Sequence, residues 1–232
     1  MFYAKEAHHY GVELYKREQT GNFGQKNSGY IMVTANEAQQ QEQMHQLHQF
    51  LRQQVNITDE DWRIFSSRFE YKVYPAGAFY LKAGEIENYV TFVDRGLVRF
   101  YVEDAGGNEV TCGFGFEGWF MCVYSSFYTR NPSRYYGETL TETHVWRIHY
   151  NDMQRAFDQL KVAERIGRLA TEQMLMIKSE RELSFLIKSA EERYLDLIGK
   201  APHLFKYVPL KHLASYIGVT PQALSRIRKR IS

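Results

Sequence analysis

The sequence predicts an α+β protein with a β-rich domain, a long helix and a C-terminal helix-turn-helix. Short segments of alternating apolar and polar residues recur between residues 69 and 148, a heptad-like pattern covers 161–186, and basic charge is concentrated in 197–232. With 44% hydrophobic and 24% charged residues, the 232-residue chain has the composition of a globular protein.

Simple features of the sequence exclude several functional classes. No apolar run is as long as a membrane-spanning helix, and the N-terminus lacks the apolar core of a signal peptide. Two cysteines, Cys112 and Cys122, cannot supply a four-thiolate zinc or iron–sulfur site within one chain. We therefore expect a cytoplasmic protein that uses no membrane, metal or other cofactor.

Composition and periodicity divide the chain into four segments. These are a loosely structured extension (1–35), a β-domain with flanking helices (36–160), a dimerisation helix (161–187) and a helix-turn-helix (188–232). Met32 is an alternative start, which would leave residues 1–31 outside the native protein. A Gln-rich helix is predicted over 36–54, where His45 and His48 lack an accompanying carboxylate or thiol, which favours solvated histidines over a metal site.

Five alternating segments predict strands in the second part of the chain, after a helix that Thr58 caps. They cover residues 69–74, 89–93, 97–102, 109–114 and 143–148, with glycine-containing turns between them. This spacing predicts a β-barrel or sandwich of roughly 80 residues.

Three helices are predicted after the β-domain. Asn151 and Gln154 suggest a capping box for the first, and Ser189 and Glu192 suggest one for the third. The long helix between them, 161–186, carries apolar residues alternately four and three positions apart: Val162, Ile166, Leu169, Met176 and Leu183, with Gln173 and Glu180 interrupting the series. This seam favours a two-stranded dimer contact over a helix that packs only on its own β-domain.

Charge is unevenly distributed along the chain. Residues 197–232 carry seven basic and no acidic residues, so the first 196 residues have a net charge of −5 when the whole chain has +2. A basic C-terminal module indicates a polyanionic partner. A solubilising tail is the alternative, but the segment is too rich in apolar residues for it.

The last thirty residues carry the most specific motif. Leu213, Ala214 and Ile217 give one apolar helix face, and Gly218 is suited to a left-handed turn. Thr220 and Pro221 then suit the start of a second helix. That helix would project Gln222, Ser225, Arg226 and Lys229 outward, towards a DNA major groove. An αα-hairpin with a basic face is the less specific alternative.

On these residues, above all Ile217 to Arg226, the sequence resembles the bacterial Crp/Fnr family of transcription regulators. The resemblance covers roughly residues 40–232. It implies an N-terminal β-roll, which is a jelly roll of the cyclic nucleotide-binding type, then a dimer helix and a winged helix-turn-helix with a reduced wing. It also implies base reading by Gln222, Ser225 and Arg226, and phosphate contacts by Lys211 and Lys229.

The effector pocket departs from that family pattern. Cys122 and Val123 stand where a Gly-Glu pair would bind the ribose of a cyclic nucleotide, and Arg134 lies at or one residue past the phosphate-binding arginine. An unpaired ribose hydroxyl would cost about 1–3 kcal/mol, which disfavours cyclic AMP. Arg134 is either a surface residue or the partner of another anionic effector. The cysteine count argues against an iron–sulfur sensor, and nothing in the sequence supports a haem sensor.

Together these features predict a homodimeric, sequence-specific DNA-binding transcription regulator. It would recognise double-stranded inverted-repeat DNA, and it would be controlled by an unidentified small-molecule effector or be constitutively active. A cyclic nucleotide sensor is the alternative. We expect no enzymatic activity, because no catalytic motif is present and His144 and His149 are too isolated for a cupin metal site.

Overall fold

The strands of the β-domain alternate apolar and polar residues, and successive side chains therefore point to opposite faces of a sheet. The computed structural model describes residues 44–231, so the predicted N-terminal extension and residues 36–43 of the predicted Gln-rich helix lie outside the described residues. All described residues belong to one compact unit.

The strands form two antiparallel four-stranded sheets, ordered β1-β8-β3-β6 and β2-β7-β4-β5. Their bounds are β1 Phe69–Tyr74, β2 Phe79–Leu81, β3 Tyr89–Arg95, β4 Leu97–Glu103, β5 Glu109–Phe116, β6 Phe120–Met121, β7 Tyr136–Thr139 and β8 Thr143–His149. The five predicted strands are present. The sequence pattern missed β2, β6 and β7 because two to four residues are too short to show alternation.

The helices flank and follow the sheets. Their bounds are α1 His45–Gln54, α2 Asp59–Ser66, α3 Tyr124–Thr129, α4 Tyr150–Gln159, α5 Lys161–Ile187, α6 Ala190–Lys200, α7 Leu204–Tyr207, α8 Leu210–Ile217 and α9 Pro221–Ile231. The α+β class and the order of β-roll, long helix and helix-turn-helix are as predicted.

Helix caps explain two of the helix starts and correct a third. The Thr58 hydroxyl accepts a hydrogen bond from the backbone N–H of Asp61, and Ser189 forms a complete capping box with Glu192. The capping box predicted at Asn151 is wrong. The helix begins at Tyr150, and the ring of His149 accepts the N–H of Asn151 instead.

Three apolar clusters hold the chain together. The first lies between the β1-containing sheet and helices α1, α2, α4 and α5, and the second lies between the two sheets. The third joins the C-terminal helices to the other sheet through Leu97, Phe114 and Phe116. The C-terminal helices are therefore packed on the β-domain rather than only tethered to it.

The predicted wing is missing from the described chain. Residues 188–231 contain helices α6 to α9 and no strand. The segment between α6 and α8 is only nine residues long and forms the short helix α7, which leaves no length for a hairpin.

Candidate nucleic-acid interface

The turn between α8 and α9 is built as the motif predicts. Gly218 adopts a φ of +82°, and the N–H groups of Gly218 and Val219 both donate to the carbonyl of Ala214, at 2.9 and 3.0 Å. The Thr220 hydroxyl accepts the N–H of Ala223 at 3.2 Å, which satisfies a free donor at the start of α9.

Burial of one face of each helix determines what the other face presents. Leu213, Ala214 and Ile217 of α8 and Leu224 and Ile227 of α9 are buried in a cluster with residues of α6 and α7. The opposite face of α9 carries the side chains predicted to contact DNA. All four of them, Gln222, Ser225, Arg226 and Lys229, are exposed.

Basic side chains surround this exposed face. Lys211 is exposed at the beginning of α8, and Arg228 and Arg230 follow on the last turns of α9. Arg230 forms an ion pair with Glu191, so it also links α9 to α6. The surface therefore combines amide, hydroxyl, guanidinium and ammonium groups, which are the kinds of group that bond base edges and phosphates in protein–DNA complexes.

The predicted effector site lies where β6 runs into α3. Val123 is the N-cap of α3 and is buried, so no carboxylate is supplied at this position. The nearby carboxylate belongs to Glu87, which is 2% exposed. It accepts hydrogen bonds from the Tyr80 hydroxyl at 2.5 Å and the Tyr89 N–H at 3.0 Å, with a longer contact of 3.5 Å to the Val123 N–H. Burial raises the pKa of Glu87.

Two arginines near α3 have different roles. Arg134 is exposed, two residues before β7. Arg130 instead folds back at the end of α3 with a φ of +59°, and its guanidinium donates to the carbonyl of Glu87 at 2.9 Å and lies 4.2 Å from the centre of the Tyr150 ring. No sequence motif marks Glu87 or Arg130, because the hydrogen bonds that join Glu87 to Arg130 and to the start of α3 span 36 or more positions.

Aromatic side chains fill the space between the sheets beside Glu87. The rings of Tyr80 and Phe100 pack edge to face, with centroids 6.1 Å apart. Both press on Gly137, where a Cβ atom would lie 2.7 Å from Tyr80 and 3.2 Å from Phe100. Any molecule entering this space would have to displace these rings.

The apolar residues of the long helix α5 lie in two different environments. Ile166 is 7% exposed and belongs to the core of its own β-domain, with Val162 and Leu169 packed against that core. Met176 and Leu183, in the C-terminal half of the helix, are 60% and 53% exposed. The predicted seam therefore lies on the protomer's own core at its start and becomes an exposed apolar stripe further along.

The structure also tests the candidate metal site and the possibility of a membrane-spanning helix. Of the two histidines predicted to be solvated, His45 is exposed, but the prediction is wrong for His48, which is half-buried with its ring stacked on Trp62, centroids 4.2 Å apart. Within residues 44–231, no three His, Cys, Asp or Glu side chains are grouped to hold a metal ion. Over the same residues, none of the helices combines the length and apolar composition needed to cross a membrane.

Comparison with known proteins agrees with this architecture. Residues 71–160 match the family model of the cyclic nucleotide-binding domain. No curated protein matches the sequence.

Solved structures are similar to a larger part of the chain than this domain. FixK2 from Bradyrhizobium japonicum is 19% identical, with a TM-score of 0.61 over 70% of this chain and 84% of FixK2. The c-di-GMP responsive global regulator CLP of Xanthomonas campestris is 17% identical, with a TM-score of 0.60 over 75% and 91% of the two chains. A Crp/Fnr-family protein from Eubacterium rectale is 12% identical, with a TM-score of 0.61 over 75% and 83%. The chain thus shares the fold of these structures, and its residues 71–160 are similar to the cyclic nucleotide-binding domain.

Proposed function

We propose that this protein is a cytoplasmic, homodimeric transcription regulator that binds inverted-repeat double-stranded DNA and has no enzymatic activity. The observation that carries the proposal is the exposed polar and basic face of α9, held outward by a buried apolar face. A helix with these groups fits a major groove, where its side chains can reach base edges.

Individual residues have distinct roles in this proposal. Gln222, Ser225 and Arg226 read bases, because they share the exposed face of α9. Lys211 and Lys229 contact phosphates, since an ammonium group carries charge but little base-specific geometry.

The dimer contact uses the exposed stripe of α5, centred on Met176 and Leu183. Exposed apolar side chains spaced by seven residues suit a second α5 helix, which would bury them. A two-fold dimer explains why the DNA site should be an inverted repeat.

The effector is a small molecule other than cyclic AMP, or no effector is needed. Val123 supplies no acceptor for a ribose hydroxyl, the Glu87 carboxylate is already hydrogen-bonded, and Tyr80 and Phe100 occupy the space beside it. The same observations argue against the alternative function of a cyclic nucleotide sensor, although Arg134 remains free of close packing to meet another anion.

Selection of bound duplexes from a random pool tests the proposal directly. The full-length protein should enrich one inverted repeat with half-sites about one helical turn apart. The Arg226→Ala variant should lose preference at one base pair of each half-site, whereas Arg155→Ala, in an exposed ion pair of α4, should select the same sequence as the wild type. Failure of the wild type to enrich any sequence would contradict the proposal.

A further inference from the structure

The helix-turn-helix is attached to the β-domain along a strand edge. β5 is the outer strand of its sheet, so one side of its backbone has no neighbouring strand. Free N–H and C=O groups on such an edge need partners from elsewhere in the chain or from water. Here α8 and α5 provide them.

Ser215 of α8 satisfies two of these edge groups. Its hydroxyl oxygen accepts the backbone N–H of Thr111 at 2.9 Å and donates to the carbonyl of Glu109 at 3.3 Å. The side chain of Ser215 therefore makes two hydrogen bonds that a neighbouring strand would otherwise make with β5.

Arg181 of α5 also stabilises the contact between α8 and β5. Its guanidinium donates to the carbonyl of Tyr216 at 3.0 Å and reaches the carbonyl of Thr111 at 3.5 Å. It also lies 4.1 Å from the centre of the Tyr216 ring and 4.6 Å from that of Phe185. A single cation thus contacts α5, α8 and β5.

A buried arginine holds the two β5 residues that Ser215 contacts. Arg99 of β4 is 1% exposed, donates to the Thr111 hydroxyl at 3.0 Å and pairs with Glu109 at 2.7 Å. Buried charged hydrogen bonds depend strongly on geometry, because a displaced partner leaves a charge unpaired. The edge of β5 that α8 contacts is therefore held in a defined position by the sheet beneath it.

We propose that Ser215 and Arg181 are positioning residues that hold the helix pair at one orientation on the β-domain, so that a dimer presents both recognition helices at a fixed spacing. This inference rests on the proposed DNA-binding function. The exposed face of α9 points away from the contact, which leaves Gln222, Ser225 and Arg226 accessible while α8 is docked. In a dimer, binding of the second half-site is intramolecular, and a fixed orientation raises its effective concentration, so the benefit should be confined to DNA with two half-sites.

The test compares two duplexes, the selected inverted repeat and the same duplex with one half-site scrambled. Ser215→Ala and Arg181→Ala should each weaken binding to the inverted repeat by roughly tenfold and change binding to the half-site duplex by less than about twofold. Ser215→Thr, which keeps the hydroxyl, should retain most of the affinity. The matched control Arg155→Ala should behave as the wild type on both duplexes.

Amide hydrogen exchange provides a readout that needs no DNA. Ser215→Ala should speed exchange at the Thr111 amide, because its acceptor is removed. Unchanged exchange, equal loss of affinity on both duplexes, unchanged affinity, or tighter binding to the inverted repeat would each overturn the inference. A wild type that binds neither duplex would overturn the proposed function as well, whereas normal wild-type binding with indistinguishable variants would overturn only this inference.

Discussion

The ring of Phe185 lies so close to Gly218 that a Cβ atom on Gly218 would be 2.6 Å from Cε1 of Phe185. Phe185 belongs to the last turn of α5, and Gly218 forms the turn between α8 and α9. The long helix and the helix-turn-helix therefore meet at a point where only glycine fits, both for its positive φ and for the space available.

Gly218→Ala should destabilise the protein by about 2–4 kcal/mol, because it adds left-handed backbone strain to a steric contact with Phe185. Chemical denaturation measures this loss. The control is Gly199→Ala in α6, where nothing lies within 4 Å of the new Cβ and the backbone is helical. That change should be neutral or stabilise by up to about 1 kcal/mol. Equal effects of the two substitutions would contradict the structural reason given for Gly218.

The double variant Met176→Glu/Leu183→Glu should convert the dimer to monomers. Both side chains are exposed in one protomer, so the change should leave the fold intact while placing charges against the partner helix, where burial is costly. Sedimentation velocity gives the oligomeric state. Thr171→Glu/Lys178→Glu, at exposed polar positions two residues from Leu169 and Met176, should remain dimeric. A dimer that survives the first double substitution would exclude this stripe as the interface.

Sequence patterns predicted those parts of the fold that depend on neighbouring residues. The turn at Gly218 and the capping box of Ser189 and Glu192 follow from local backbone chemistry, and the structure confirms both. The heptad pattern also found the apolar side of α5. It could not show that Ile166 faces the protomer's own core, because periodicity identifies a face and not the surface that covers it.

Contacts between residues far apart in the chain could not be predicted from sequence patterns. Glu87 meets α3 through a contact across 36 positions, and Ser215 meets β5 across more than one hundred. Glu87 belongs to no motif, the helix-turn-helix pattern assigns no role to Ser215, and a single serine or glutamate has many ordinary uses. Such contacts follow from the packing of whole elements, which local spacing does not encode.

Cyclic AMP should not raise the melting temperature of the protein. A ligand that binds the folded state stabilises it when its concentration exceeds the dissociation constant. Here Val123 offers no ribose acceptor, and Tyr80 and Phe100 fill the adjacent space. Thermal unfolding with and without millimolar cyclic AMP, compared at equal ionic strength with sodium phosphate, measures the effect. A saturable rise specific to cyclic AMP would show that the domain accepts the nucleotide by another geometry.

Stability should fall on mild acidification because of His212. This residue of α8 is 7% exposed, and burial, with the charges of Arg99 and Lys211, lowers its pKa from 6.5 to about 4, while Glu109 acts in the opposite direction. The unfolded chain therefore binds a proton below pH 6.5 that the folded chain excludes. Stability is complete above that pH and is lost as the pH falls towards 4, by about 2 kcal/mol between pH 7.5 and 5.

Denaturation curves of the wild type and His212→Gln over this pH range isolate the effect. The variant lacks the titrating ring, so it should lose about 2 kcal/mol less than the wild type on acidification. Groups that do not interact with His212 contribute equally to both proteins. Glu109 does interact with it: burial raises the pKa of Glu109, but the hydrogen bond and charge of Arg99, with the charges of His212 and Lys211, outweigh burial and lower it. Parallel pH profiles would show that His212 is not buried as the structure has it.

Arg226 and Lys211 should affect DNA binding in different ways. Arg226→Ala should cost about 1–3 kcal/mol on the selected site and relax preference at one base pair per half-site, because a guanidinium can bond two acceptors of guanine. Lys211→Ala should weaken binding to all sequences alike, because an ammonium at the start of α8 meets phosphate only.

Salt dependence separates these two kinds of contact. Loss of one phosphate contact per subunit should reduce the slope of log affinity against log salt concentration by about one for each subunit. Because a guanidinium directed at a base releases fewer phosphate counterions, Arg226→Ala should change this slope less than Lys211→Ala. Binding titrations at several salt concentrations, on the selected site and on a scrambled duplex, give both quantities. An Arg226→Ala protein that keeps full specificity, or a Lys211→Ala protein whose loss depends on sequence, would contradict the assignment of base-reading and phosphate-binding roles.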